Sequence, residues 1–198
     1  MNVQKSKGNL VIISGPSGVG KGTICRALLA KYGDIELSIS ATTRKARVGE
    51  RDGQEYFFYP REKFLDLVQK EAFLEWAQVF DNYYGTPCTY VQEVLAQGKD
   101  CILEIDVQGA MQVKQKRPDG VFVFLVPPSQ EELIRRITCR GTENTAEIQK
   151  RMNKVAEEMT RLKEYDYVVV NDSVEEATAK IRAILVAERC RVSRWEAC

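Results

Sequence analysis

The sequence predicts an α/β fold in which a mostly parallel β-sheet carries helices on both faces and is interrupted by a smaller mixed lobe. Along most of the 198-residue chain, apolar stretches of strand length alternate with stretches of helical periodicity, an order that builds parallel sheets covered on both sides. Residues 121–126 (VFVFLV) are almost wholly apolar, which is typical of a strand buried on both faces. Short aromatic strands and turns break this order between residues 41 and 90, where we expect an inserted lobe.

The first elements frame a glycine-rich loop. Residues 9–14 are predicted as a buried strand, residues 21–32 as a helix, and residues 15–23 (GPSGVGKGT) connect them. Glycines leave backbone N–H groups free to converge on a phosphate, the helix N-terminus adds partial positive charge, and Lys21 can reach the outer phosphates. The spacing fits the phosphate-binding loop of P-loop proteins, although Gly22 stands where a hydroxyl residue is usual. The alternative is a glycine-rich turn that matches by chance.

The lobe and its flanks are predicted as short elements joined by turns. Pro60 opens a helix, as proline does in a first turn. The elements expected here are a strand at 36–40, a polar, basic loop at 41–53, an aromatic strand at 54–59, a helix after Pro60, a strand at 73–80, a turn at 81–87 and a helix at 88–97.

The second half returns to alternating strands and helices. Two capping boxes, Ser129-x-x-Glu132 and Ser173-x-x-Glu176, mark helix starts. The elements expected are a strand at 101–106, a helix from Gly109, a strand at 121–126, a helix from Ser129 to about Arg140, a long helix at 145–164, a strand at 167–170 and a final helix. The long helix carries an apolar stripe of Ile148, Met152, Val155, Met159 and Leu162. The final helix is expected to bury Val174, Ala177, Ile181, Ile184 and Leu185.

Composition excludes several functional classes. The 29 basic and 28 acidic residues give a net charge of +1, which offers no reason to invoke nucleic acid or a membrane surface as a partner. The absence of histidine removes Ser-His and Cys-His catalysis and histidine metal sites. None of the six cysteines forms a CxxC pair, and most lie in apolar periodic segments, which is typical of small core residues in a reducing compartment. With a polar N-terminus and no apolar run of membrane-spanning length, the chain is expected to be cytoplasmic.

Polar side chains follow several predicted strands at their carboxyl ends, where open parallel sheets bind ligands. Ser40, the pair Glu104 and Asp106, and Asn171 occupy such positions, and the glycine-rich loop follows the first strand in the same way. Glu104 and Asp106 are two apart on a predicted strand, so both should point to the same face. They could hold Mg²⁺ through waters, hold a ligand hydroxyl or amine, or form a salt bridge with a buried arginine.

Arginines and one glutamate are the other candidates. A phosphoryl-transfer enzyme needs cations that follow the migrating charge, and a planar guanidinium binds phosphate through two parallel bonds. The candidates are Arg44, Arg47, Arg136, Arg140 and Arg151. In the alternative interpretation, these arginines only solvate the protein surface. Glu75 lies among aromatic and apolar residues, and a carboxylate accepts the two adjacent donors of guanine, which adenine lacks. Its alternative is an edge-strand glutamate that faces solvent.

Several stretches occur in a fixed order along the chain. They are SGPSGVGKGT at 14–23, SATTRKARVGE at 40–50 with DG at 52–53 and YFF at 56–58, FLEWA at 73–77 with NYYGT at 82–86, ILEIDVQG at 102–109, PPS at 127–129, RGTE at 140–143 and VVND at 169–172. Together, from about residue 9 to 187, they resemble the guanylate kinase family, which transfers a phosphoryl group from ATP to GMP. The glycine loop alone is widespread, whereas the TTR, NYYGT and RGTE stretches in this order are highly specific.

The resemblance implies roles at matching positions. ATP would be bound by Gly15, Pro16, Ser17, Gly18, Val19, Gly20, Lys21, Gly22, Thr23 and Asn171, the last near the adenine. The catalytic cations would be Lys21, Arg44, Arg136, Arg140 and Arg151. The GMP site would comprise Ser40, Glu75 and Thr86 at the base, Arg44, Arg47, Tyr56 and Tyr84 at the phosphate, and Glu104 and Asp106. The implied cofactor is Mg²⁺, held largely by water and phosphates, with Thr23 as the candidate protein ligand.

The resemblance also implies a single domain with three parts. They are a P-loop three-layer α/β/α core at about 1–40, 88–128 and 165–198, a mixed α+β GMP-binding lobe at about 41–87, and a small helical lid at about 129–164. Two positions depart from the family pattern: Gly22 replaces a serine common in many relatives, and Ala41 stands where some relatives have a second serine. Oligomeric state and the use of dGMP stay open at this point.

The implied mechanism is direct in-line transfer of the ATP γ-phosphoryl group to a phosphate oxygen of GMP. A phosphate monoester has a second pKa of about 6, so the attacking oxygen needs no general base near neutrality. Two alternatives remain: a non-catalytic module that binds peptides in the same lobe, and a kinase with another acceptor. An intact Lys21 argues against the first, and Glu75 argues against the second.

Overall fold

The computed structural model describes residues 7–138 and 145–194, the latter without the side chains of 145–148 and 194. Its elements in chain order are β1 (Leu10–Ser14), α1 (Lys21–Lys31), β2 (Ile35–Leu37), β3 (Ala41–Thr42), β4 (Phe57–Phe58), α2 (Arg61–Gln69), β5 (Phe73–Val79), β6 (Asn82–Pro87), α3 (Cys88–Ala96), β7 (Asp100–Glu104), α4 (Val107–Lys116), β8 (Val121–Val126), α5 (Gln130–Thr138), α6 (Thr145–Met159), β9 (Tyr167–Val170) and α7 (Val174–Arg189). Two 3₁₀ turns cover Thr160–Glu164 and Val192–Arg194.

The main sheet is parallel throughout, in the order β2-β7-β1-β8-β9. Successive side chains of β1 point to opposite faces. Val11 and Ile13 therefore pack into the core formed with α1 and α7, whereas Leu10 and Ile12 pack into the core formed with α3 and α4. The result is a three-layer α/β/α arrangement, and the predicted fold class is confirmed.

A second sheet, in the order β4-β3-β6-β5, forms the inserted lobe. Its own small core is built from buried side chains of Ala41, Phe64, Phe73 and Tyr83, and the Phe64 and Phe73 rings stack with centroids 4.5 Å apart. The lobe thus has an apolar interior separate from the two cores that flank the main sheet.

The prediction of a turn at 81–87 was wrong, because Asn82–Pro87 is the strand β6. Residues with turn-forming side chains pair here with β5 in antiparallel register, from Val79 opposite Asn82 to Phe73 opposite Pro87. The chain reverses direction within the two residues between Val79 and Asn82, and one of these, Phe80, has a left-handed φ of 53°. Long-range pairing overrides the local preference of this segment.

Other boundaries shifted by a few residues. The predicted loop at 41–53 contains the two-residue strand β3, β2 ends at Leu37, and the aromatic strand predicted at 54–59 is only Phe57–Phe58. The long helix predicted at 145–164 ends as α6 at Met159 and continues as a 3₁₀ turn. Both predicted caps are present: the Glu132 N–H donates to Ser129 Oγ over 3.1 Å, and the Glu176 N–H donates to Ser173 Oγ over 3.2 Å.

Two apolar positions are more exposed than predicted. Val174, in the first turn of α7, is 39% exposed, and Met159, at the end of α6, is 37% exposed. Both lie at helix ends, where the apolar face runs past the edge of the core. Within the described part of the chain, every helix is too short or too polar to cross a membrane.

Candidate active site

The glycine-rich loop wraps between β1 and α1 in a form that glycine alone permits at key points. Gly15 has a φ of 141°, and a Cβ there would lie 2.3 Å from the carbonyl oxygen of Leu125. Gly20 has a φ of 98°, and a Cβ there would lie 2.6 Å from Nδ2 of Asn171. No side chain caps the start of α1, so its first N–H groups are available to an anion.

Lys21 lies over this loop. Its Nζ donates to the carbonyl oxygens of Gly15 at 2.7 Å and Pro16 at 3.2 Å. Burial lowers the pKa of Lys21, while the nearby carboxylates of Glu158 and Glu104 oppose that shift. A partly desolvated ammonium at a helix N-terminus is suited to bind phosphate oxygens.

Asn171 and Arg136 hold the loop from behind. Asn171 is 4% exposed, and its Nδ2 donates to the Val19 carbonyl over 2.8 Å. Arg136 Nη1 donates to the Asn171 carbonyl over 3.0 Å, and its Nε donates to Glu132 over 2.7 Å. In this conformation both side chains therefore contact protein backbone next to the loop.

A cavity of about 440 Å³ opens in front of the loop. Its lining residues are Ser17, Gly18, Gly20, Lys21, Gly22, Thr23, Arg26, Glu104, Asp106, Lys154 and Glu158. Glu104 and Asp106 meet here as predicted, although Asp106 lies beyond β7 and caps α4 through a 2.8 Å hydrogen bond from the Gly109 N–H. A Cβ on Gly22 would lie 3.2 Å from Oε1 of Glu104, so the missing side chain leaves room for this carboxylate.

A second cluster lies in the inserted lobe and combines one cation with two phenol rings. The Arg44 guanidinium lies 5.5 Å from the Tyr56 ring centroid, and the Tyr56 and Tyr84 rings are 6.0 Å apart. Arg44 Nη2 donates to Glu50 Oε1 over 2.9 Å, and this bond contributes most to lowering the pKa of the Glu50 carboxyl. Arg47 is exposed on the same loop, and its backbone N–H donates to Glu50 Oε2 over 2.8 Å.

Glu75 lies inside the lobe and does not face solvent. It is 8% exposed, and Thr86 Oγ1 donates to its Oε1 over 2.7 Å. A Cβ on Gly109 would lie 3.2 Å from its other oxygen, so Glu75 faces the start of α4. Burial raises the pKa of Glu75, and Asp106 acts in the same direction. The alternative of a solvent-facing edge glutamate is wrong.

The remaining predicted residues are placed as follows. Ser40 is half-buried beside the lobe and its carbonyl accepts from the Phe57 N–H over 2.9 Å. Thr23 is exposed at the cavity, with its hydroxyl 3.4 Å from Arg26 Nη2. Arg151 is half-buried on α6. Arg140 lies outside the described residues.

Three cavity residues were missed by the sequence reasoning: Arg26, Lys154 and Glu158. Arg26 lies four positions after Gly22 on α1, so helical spacing places it on the face of the loop. Glu158 lies three positions after Val155 and directly before Met159, at the border of the apolar stripe. A charged residue at that border is the signal that would have pointed to it.

The fold and the site together define a P-loop nucleotide-binding protein of the α/β class. A strand–glycine loop–helix unit, with its lysine over the loop, opens at the carboxyl edge of a parallel sheet. This is the arrangement used for phosphoryl transfer.

Comparison with known proteins gives the family. The family model described as "Guanylate kinase" matches residues 7–188. The chain is 56% identical over 190 residues to the guanylate kinase of Caldanaerobacter subterraneus subsp. tengcongensis, covering 96% of this chain and 92% of that protein. It is 54% identical to that of Halalkalibacterium halodurans, covering 97% and 94%. The crystal structure of guanylate kinase from Anaplasma phagocytophilum superposes with a TM-score of 0.72 at 37% identity, covering 96% and 90%.

The chain belongs to the guanylate kinase family. The predicted family and enzyme class, a nucleoside monophosphate kinase that transfers a phosphoryl group from ATP to GMP, are thereby confirmed. The SH3-kinase fragment of tight junction protein 3 superposes with a TM-score of 0.52 at 11% identity, a likeness of fold alone.

Proposed function

We propose that the cavity at the glycine loop binds the phosphates of ATP and that the lobe binds GMP, so that the two substrates meet at Asp106. The observation that carries this assignment is geometric. Asp106 lines the cavity together with Lys21, and a Cβ on Gly109 would lie 3.5 Å from Oδ1 of Asp106 and 3.2 Å from Oε2 of Glu75. Asp106 therefore lies between the phosphate-binding lysine and the buried glutamate of the lobe.

Guanine is read by Glu75 together with Ser40 and Thr86. The Glu75 carboxylate accepts the guanine N1–H and its exocyclic amine, while the Thr86 hydroxyl holds the carboxylate in place. Adenine offers no such pair of donors, so binding it would leave a buried acceptor unpaired, which costs about 1–3 kcal/mol. Discrimination between the two purines follows from this difference.

The GMP phosphate is held by Arg44, Arg47, Tyr56 and Tyr84. Stacking over the Tyr56 ring and pairing with Glu50 orient the Arg44 guanidinium before substrate arrives. A guanidinium offers two parallel donors to phosphate, and the phenol hydroxyls add further donors. The loop segment between Arg44 and Glu50 thus serves as an anion site in the lobe.

Transfer proceeds in line, from the γ-phosphoryl group of ATP to a phosphate oxygen of GMP. That oxygen is already largely unprotonated near neutrality, so the protein needs no general base. Lys21 stabilises charge on the moving group, and Arg136, Arg140 and Arg151 are the further cations assigned to this task. Asn171 supports the ATP site by holding the Val19 carbonyl.

Mg²⁺ is the cofactor we propose for the ATP phosphates. The described residues contain no group of three or more acidic or thiol side chains suited to hold a metal on their own. Magnesium keeps several waters and binds through substrate phosphates, so a sparse set of oxygens at Thr23, Glu104 and Asp106 fits it. When bound, the ion neutralises phosphate charge.

We further propose the division of the chain into a core at about 1–40, 88–128 and 165–198, a GMP-binding lobe at about 41–87 and a lid at about 129–164. The separate sheet and apolar interior of the lobe support the second part. The contact of α5 with α6 through Leu133, Ile137 and Val155 supports the third.

An acceptor panel tests the assignment. ADP formation is measured with ATP and each of GMP, dGMP, AMP, CMP and UMP, with and without Mg²⁺. We expect turnover with guanine nucleotides that depends on Mg²⁺ and little or none with the others. Equal turnover of AMP and GMP would contradict the assignment of Glu75.

A further inference from the structure

One carboxylate in the phosphate cavity has no place in the reaction described so far. Glu158, on α6, is 9% exposed and lines the cavity together with Ser17, Gly18, Gly20 and Lys21 of the glycine loop. Its Oε1 lies 3.9 Å from Lys154 Nζ. Within the described chain, Oε2 of Glu158 has no hydrogen-bond partner.

Glu158 is also a principal counter-charge of the phosphate-binding lysine. Among the charges that act on Lys21, Glu158 has the largest effect, ahead of Glu104 and Asp106. Conversely, Lys154 and Lys21 are the cations that oppose the rise in the pKa of Glu158 caused by burial. The carboxylate and the lysine therefore stabilise each other's charge across the cavity.

A carboxylate in this position presents the same chemistry as a phosphate oxygen. It is an anionic acceptor in the cavity that it shares with the glycine loop and Lys21, and its unpaired Oε2 costs free energy because it is buried. The formal charges around the cavity cancel, with Lys21, Arg26 and Lys154 against Glu104, Asp106 and Glu158. A polyphosphate would bring further negative charge directly against Glu158.

We propose that Glu158 stands in for a nucleotide phosphate in this cavity and competes with the polyphosphate, which must displace it in order to bind. The inference rests on the proposed assignment of this cavity to the ATP phosphates. Because Glu158 belongs to α6, its displacement couples the position of that helix to nucleotide binding. The carboxylate lowers nucleotide affinity, because part of the binding free energy is used to displace it.

The test is a comparison of Glu158→Gln with Glu157→Gln, the exposed neighbour on the same helix. Glutamine keeps the size of the side chain and removes its charge. Titration calorimetry with ADP, inorganic tripolyphosphate, adenosine and GMP separates phosphate from base. For Glu158→Gln we expect Kd for ADP and tripolyphosphate to fall about five- to tenfold, with adenosine and GMP unchanged. Glu157→Gln should match the wild type throughout.

Kinetics give a second readout that a merely structural role would not produce. Glu158→Gln should lower the KM for ATP while the KM for GMP stays the same. If Glu158→Gln does not fold, Glu158→Asp keeps the charge but withdraws it by one methylene from the cavity, and it should also bind ADP more tightly than the wild type.

Two results would overturn the inference. Unchanged or weaker ADP and tripolyphosphate binding by the folded variant would mean that Glu158 does not compete with phosphate. A wild type that binds neither ADP nor tripolyphosphate would instead refute the assignment of the cavity, and the inference with it.

Discussion

At the scale of single residues, Lys21 carries the plainest prediction. Its Nζ bonds two loop carbonyls and its pKa is lowered by burial, which suits a cation that must meet developing charge. Lys21→Ala should lower kcat about 100- to 1,000-fold and leave the fold intact, as measured by a coupled assay and a thermal melt. Lys31→Ala, at the other end of α1, is the matched control. Near-normal turnover of Lys21→Ala would remove the lysine from the mechanism.

The raised pKa of Glu75 predicts that both stability and guanosine affinity depend on pH. Burial raises its pKa in the folded protein, so the folded state binds the proton more tightly than the unfolded state. The contribution of Glu75 to the free energy of unfolding therefore decreases as the pH rises from the ordinary glutamate range through the raised pKa. Guanosine affinity should rise over the same interval, because the ionised carboxylate accepts both guanine donors.

Guanosine, which has no phosphate to titrate, is the suitable probe for this effect. Its Kd is measured across pH for the wild type and for Glu75→Gln. The variant should lack the rise in affinity. A wild-type affinity that is flat across that interval, or that falls with pH, would show that the ionised Glu75 does not read the base.

At the scale of elements, the strand–loop–helix unit depends on its glycines. A Cβ at Gly15 meets the Leu125 backbone at 2.3 Å, at a φ of 141°. Gly15→Ala should therefore lower the free energy of unfolding by about 1–3 kcal/mol and abolish ADP binding. Gly33→Ala is the control, because a Cβ there meets nothing within 4 Å. Urea unfolding measures the stability of both variants, and calorimetry measures their ADP binding. Wild-type stability and ADP binding in Gly15→Ala would contradict the described loop.

Elements with strong local signals were predicted closely, whereas those set by distant partners were not. The strand β8 is a continuous apolar run bounded by Pro127, and α7 begins at a serine cap, so sequence located both. The strand β6 contains asparagine, glycine and proline, which favour turns, and it exists because β5 pairs with it. Asp106 likewise caps α4 through a local bond that a strand pattern does not reveal.

At the scale of the whole molecule, the candidate site is assembled from distant parts of the chain. Sequence located the glycine loop, Glu104 with Asp106, and the lobe residues around Arg44, because each lies in a recognisable stretch at a strand end. It did not locate Glu158, whose place in the cavity depends on how α6 packs against α5. Periodicity gives the face of a helix, but the partner of that face follows from tertiary packing.

The central claim is that the buried carboxylate of the lobe makes this kinase specific for guanine. The most direct test is the ratio of kcat/KM for GMP to that for AMP, measured in the wild type, in Glu75→Gln and in the exposed lobe control Glu62→Gln. We expect a wild-type ratio of about 1,000 or more. Glu75→Gln should lower it about 10- to 100-fold through a higher KM for GMP, and Glu62→Gln should leave it unchanged. A ratio that Glu75→Gln leaves at the wild-type value would contradict the account.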